Sequence, residues 1–149
     1  AHGARALQLF DTSIGVLSSG DFKSFVLPYL QQINGALADL SVPRIYFPLA
    51  GSHFLSFSAQ TRADILSIDW RTDINAAYKA MGENAIIQGN LDPTILYADK
   101  QTITGAVTRT LKQVQGRSHI FNLGHGLQPD MPYENVAFLI SEVHRLSQK

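Results

Sequence analysis

The stretch SHIFNLGHGLQPDMPYENVAFLISEV, Ser118 to Val143, decides how this chain is read. It opens with an apolar run of strand length, Ser118–Asn122. A loop follows in which His125 stands between Gly124 and Gly126. It closes on Tyr133, Val136, Ala137, Ile140 and Val143, spaced as one face of a helix. Pro132 falls at the expected first turn of that helix, where a missing N–H costs nothing. His144, Arg145 and Lys149 then complement the negative end of its dipole. Strand, loop and helix together make one βα unit.

Working outward, the same unit recurs. Strand-length apolar runs stand at Ala6–Phe10, Arg44–Pro48, Ile65–Asp69 and Ala85–Gln88. They are apolar on both faces or nearly so, as strands covered by helices tend to be. Helix-spaced residues lie between them. Phe22, Phe25, Val26, Tyr29, Leu30, Ile33, Leu37 and Leu40 predict a helix with Asp21 as its N-cap and a break at Pro28. Phe54, Leu55 and Phe57 open a second, and Ile74, Ala77, Tyr78 and Met81 mark a third. Ile103, Val107, Leu111 and Val114 mark a fourth, closed by Gly116. About five βα units in succession imply parallel strands. Two architectures fit: a doubly wound open sheet, or a stretch of a (β/α)8 barrel. No GxGxxG or P-loop follows the first strand, which weakens the nucleotide-binding open sheet.

Composition narrows the function classes. The chain has 149 residues, 45% hydrophobic and 16% charged, so one domain with a sizeable core is expected. Its formal net charge is zero, which argues against wholesale nucleic-acid or membrane-surface binding. With no cysteine there is no disulfide, no thiolate nucleophile and no Cys-based metal site. His53, His119 and His144 lack metal-ligand spacing, so no metal is expected. No apolar run has the length of a membrane span and no signal peptide is visible, which makes the cytoplasm the default. The chain opens on Ala1, and it is expected to be a piece of something longer.

In either architecture the functional groups belong beyond the strand C-termini. Those ends read Asp11-Thr12-Ser13, Leu49-Ala50-Gly51, Asp69-Trp70-Arg71, Gln88-Gly89-Asn90 and Asn122 to Gly126. His125 draws attention because flanking glycines remove bulk and let backbone approach a ligand. The plainer alternative is a turn histidine satisfied by backbone. Thr12 and Asp11 compete with ordinary turn and capping roles. Asp69 and Trp70 could pair charge with stacking, although such a tryptophan more often packs. Gln88 and Asn90 more often hold loops.

The segments LQLFDTSIGVLS, ILSIDWRTDI, IIQGNLDPTILYA and HIFNLGHGLQPDMPYENVAFLISEVH resemble the C-terminal part of the uroporphyrinogen decarboxylase family, in its order and spacing. The resemblance runs almost the whole chain, so 1–149 is one stretch with no internal boundary. Gln88–Pro93 and Asn122–Gly126 carry it most specifically. It implies a partial (β/α)8 barrel from a cytoplasmic homodimer. It implies removal of the carboxyl groups from four acetate side chains of uroporphyrinogen, giving coproporphyrinogen in heme and porphyrin biosynthesis. No metal or organic cofactor is implied.

Two substrate-binding positions carry over by resemblance. The hydroxyl residue after Phe-Asp is Thr12, and the histidine of Asn-Leu-Gly-His-Gly is His125. Phe10, Asp11, Gly124 and Gly126 are their possible rim companions. The family's arginine-rich loop, its pyrrole-binding aspartate and a tyrosine near the substrate have no counterpart here. The main catalytic groups are therefore expected in the absent N-terminal half, and the isolated chain is expected to show little activity. Ser13 stands where many members have a larger side chain, and Arg71 where the familiar bacterial pattern is similar to Asp-Trp-Thr. The related corrinoid-protein methyltransferases bind zinc through Cys and His, which a cysteine-free chain disfavours. An alternative to catalysis is a non-catalytic half-barrel whose open edges lead it to self-associate, to pair with the missing half or a partner, or to bind a tetrapyrrole or other anionic ligand. Setting the resemblance aside, the rim around Gly124, His125 and Gly126 could hold a phosphate or carboxylate.

Overall fold

The computed structural model describes residues 3–148. Its strands are β1 (Leu7–Asp11), β2 (Arg44–Pro48), β3 (Ile65–Ser67), β4 (Ile86–Leu91) and β5 (His119–Leu123). Its helices are α1 (Ser19–Asp21), α2 (Leu27–Ala36), α3 (Leu55–Ser58), α4 (Ile74–Met81), α5 (Lys100–Gln113) and α6 (Tyr133–Ser147). All neighbouring strands pair in parallel, in the order β1-β2-β3-β4-β5. A doubly wound sheet needs a point where strand order reverses. This sheet has none, so it is a run of (β/α)8 barrel units, as the sequence resemblance implied.

The strand period of two sorts side chains onto two faces. Leu9, Tyr46, Leu66 and Ile87 share one face and join a core with Phe22, Leu27, Leu30, Ile74, Ala77 and Tyr78. A second cluster joins Leu91, Phe121 and Leu123 to Ile103, Val107 and Leu139 of α5 and α6. The helices thus cover a single face. The other face carries Gln8 and Phe10 of β1, registered with Ile45 and Phe47 of β2. Ser67 and Gln88 continue it on β3 and β4. Gln88 Nε2 donates to Ser67 Oγ at 3.0 Å and to Gln8 Oε1 at 3.4 Å. This is the face a closed barrel would fill with layered side chains.

Several local readings shift. The first helix is capped by Ser18, not Asp21: Ser18 Oγ accepts the Asp21 N–H at 3.1 Å and donates to the Asp21 carboxylate at 2.8 Å. Pro28 offers no N–H to the turn before it, and Phe22–Val26 widens into a π turn in which Leu27 N–H reaches the Phe22 carbonyl. Asp73 and Asp99 cap α4 and α5 by accepting the N–H of Ala76 and Thr102. Pro132 is the N-cap of α6 and lies one residue before its first turn. Gly116 sits at φ +80° in the turn after α5, where a left-handed conformation suits glycine. β4 runs on through Gly89 and Asn90 to Leu91, past the expected end at Gln88. Gly89 takes φ +123°, and a Cβ there would meet the Ile68 carbonyl oxygen at 2.5 Å, so the close approach of β4 to the backbone just past β3 demands a glycine.

Candidate functional site

The C-terminal rim is organised by Asp69, whose side chain is completely buried. Its Oδ2 accepts the Ala50 N–H at 2.7 Å and a guanidinium N–H of Arg71 at 3.1 Å. Its Oδ1 accepts the Arg71 N–H at 3.0 Å and the Thr72 hydroxyl at 3.3 Å. Asn90 of β4 donates to the carbonyls of Asp69 and Thr72 at 3.0 and 2.6 Å. A buried carboxylate is tolerable only when saturated in this way. The knot joins the loops after β2 and β3 to β4.

The loop after β5 rests on this knot. Gly124 N–H donates to the Leu91 carbonyl at 2.7 Å. A Cβ on Gly124 would fall about 3.0 Å from the Asp69 carbonyl carbon and closer still to the Trp70 nitrogen. Gly124 is thus required by backbone approach. Gly126 is different: a Cβ there would meet nothing within 4 Å, so no crowding beside His125 demands glycine. Beyond them His125 is exposed. Its Nδ1 lies 3.4 Å from the Gly126 carbonyl oxygen, and its ring meets the Trp70 indole edge-on at 6.2 Å.

On the uncovered face, His125 and Gly126 share a groove of about 200 Å³ with Phe10, Phe47, Ser67 and Asn122. Phe10 is 65% exposed there and meets Phe47 edge-on at 6.0 Å. The groove joins an aromatic floor to one imidazole at its rim. Its lining includes Phe10, His125 and Gly126 but not Thr12, which stands exposed in the turn after β1. Asp11 points the other way. Its carboxylate accepts the Tyr46 hydroxyl at 3.2 Å on the helix-covered face, so it is not a cap. Burial pushes the Asp11 carboxyl above its ordinary range, with the Tyr46 hydrogen bond opposing in part. Ser13 precedes a short 3-10 turn without capping it through its side chain.

Phe47, Ser67 and Gln8 escaped the sequence reading as groove residues. Phe47 could have been found from Phe10, because parallel register sets the two side by side. A larger cavity, about 860 Å³, lies at the other end of the strands between α5 and α6. It holds none of the expected site residues. Its His119 donates from Nε2 to the Gly89 carbonyl at 2.6 Å, and burial lowers its pKa from the ordinary 6.5. Among the described residues no three His, Asp or Glu side chains gather as metal ligands, and no helix is long and apolar enough to cross a membrane.

A solved methyltransferase from Methanosarcina mazei superposes with a TM-score of 0.81 at 21% identity, over 98% of this chain and 43% of that one, which bears on the fold alone. The uroporphyrinogen decarboxylase of Geobacter sulfurreducens is 43% identical over 148 residues, 99% of this chain and 44% of its own length. That of Syntrophotalea carbinolica is 42% identical over 147 residues, with 43% of its length matched. The chain thus spans less than half the length of these relatives. The family model for uroporphyrinogen decarboxylase (URO-D) matches residues 1–146. A match over nearly the whole chain, on a sheet of parallel strands in sequential order, shows that the chain belongs to the uroporphyrinogen decarboxylase family.

Proposed function

We propose that this chain forms one wall of a cofactor-free carboxy-lyase site that converts uroporphyrinogen to coproporphyrinogen in heme and porphyrin synthesis. The observation that carries the reading is the groove: Phe10 and Phe47 offer an apolar floor for a pyrrole, with His125 at the edge where carboxylates would lie.

The chemistry replaces an acetate carboxylate by a proton. A proton first adds to a pyrrole ring carbon, leaving a cationic ring that can accept electrons. The C–C bond to the carboxylate then breaks, carbon dioxide leaves, and its electron pair flows into the ring. A second proton adds to the exocyclic methylene to make the methyl group, and the ring proton departs. Each cycle consumes one proton and releases one carbon dioxide. His125 is suited to hold a substrate carboxylate by a hydrogen bond, and the Thr12 hydroxyl can add a second contact. The proton donors and the anionic group facing the pyrrole nitrogens belong to the complementing half of the barrel.

That half is also the natural partner. Phe25, Tyr29 and Ile33, four residues apart, are 69%, 63% and 42% exposed on the flank of the first helical segment. Such a stripe calls for cover, from the complementing half or from a second copy in a cytoplasmic homodimer. A coupled assay for coproporphyrinogen tests the whole reading. The 149-residue chain alone is expected to give no turnover, and turnover is expected to appear when the remainder of a relative's barrel is added. Robust turnover by the chain alone refutes the division of the site. No turnover in the complemented pair refutes the assignment.

A further inference from the structure

His125 is poorly held by its own loop. It is exposed, and its one hydrogen-bond contact is 3.4 Å long. A side chain in that state has rotamers to lose before it can hold anything in a fixed direction. The ring against it is Trp70, and Trp70 is itself clamped. The Arg71 guanidinium lies 4.1 Å from the centre of the indole, in cation–π range. That guanidinium is pinned in turn by Asp69 Oδ2 at 3.1 Å, and the rest of the Asp69 carboxylate is held by the Ala50 and Arg71 N–H groups and the Thr72 hydroxyl. Arg71 is half-exposed and lies in a polar cleft with Asp92, Thr110 and Gln113, separate from the groove that His125 enters.

We infer that Arg71 is a positioning residue for His125, acting through Trp70. Asp69 fixes Arg71, Arg71 fixes the indole, and the indole, perpendicular to the imidazole, gives it its direction over the groove. The inference rests on the proposed role of His125 only for its use in catalysis; the positioning itself is a property of this chain. The planar guanidinium matters, because an ammonium cannot stack in the same way.

The chain has one tryptophan, so the indole signals in an NMR spectrum belong to Trp70. Wild type is expected to show a cross-relaxation peak between the Trp70 indole and the His125 ring. Arg71→Ala is expected to lose it while keeping the corresponding peak between His119 and Phe121, which meet edge-on at 6.2 Å elsewhere in the fold. His125→Ala is expected to leave the Trp70 signals nearly unchanged, since the indole is held from the Arg71 side. If Arg71→Ala does not fold, Arg71→Lys serves: it retains a cation for Asp69 without the planar stack, and the same loss is expected. Survival of the Trp70–His125 peak in the folded Arg71 variant overturns the inference. So does a large change at Trp70 in His125→Ala, which would make the contact one of mutual packing. These readings need no substrate, so failure of the decarboxylase assay leaves them intact.

Discussion

Asp69 and His125 stand on the same rim and differ in almost every physical respect. Asp69 is buried and receives hydrogen bonds from Ala50, Arg71 and Thr72. His125 is exposed and has one long contact to its neighbour's carbonyl. The first is built to stay where it is. The second keeps its hydrogen-bonding capacity free for something that is not protein. A rim residue rich in protein partners serves the scaffold, and one poor in them is available to a ligand.

Mutations should pull the two apart. Asp69→Ala leaves the Ala50 and Arg71 N–H groups and the Thr72 hydroxyl without their buried acceptor, and is expected to cost about 3–5 kcal/mol in urea unfolding. A loss below 1 kcal/mol would remove Asp69 from the scaffold. Gly124→Ala drives a methyl into the Asp69–Trp70 backbone and is expected to cost about 1–3 kcal/mol, whereas Gly126→Ala meets open space and should cost far less. Equal losses at the two glycines would contradict the close approach of the β5 loop.

The pH dependence of stability probes the strand ends away from the rim. Burial holds His119 neutral, so the unfolded chain binds its proton near pH 6.5 while the folded chain binds it only at lower pH. Folding stability should therefore fall as pH drops through 6.5 and level off below the lowered folded value. His119→Gln keeps an N–H for Gly89 and should flatten that decline in urea titrations at several pH values. The smallest expected effect is at the other pole: His125→Ala should change stability by less than about 0.5 kcal/mol. In the complemented enzyme it should nonetheless weaken substrate binding, read as a raised KM.

Much of the fold was legible because its signals are local. Short apolar runs gave the strands, and helix-spaced residues gave the segments between. Gly89 and Asn90 read as a loop that would end β4 at Gln88, yet the ladder continues through both to Leu91. Asp21 suggests a cap from sequence, yet in the fold Ser18 is the cap and Asp21 is its reciprocal partner. The site was legible in part. His125 and Phe10 do enter one groove, while the register of β2 adds Phe47 to it. The role of Asp69 could not be read, because its partners Ala50 and Asn90, the latter donating to its carbonyl, lie 19 and 21 residues away in sequence. Such convergence is a property of the folded sheet.

The hydrogen bond from Gln88 to Gln8 has a geometric consequence. β1 and β4 are three strand spacings apart, roughly 14 Å if the sheet were flat at about 4.8 Å per strand. Two glutamines rising side by side from a flat sheet could not close that gap. Their 3.4 Å contact is a chord, and a chord exists only on an arc. Curvature is therefore a property of these five strands themselves, held across their concave face by amide side chains.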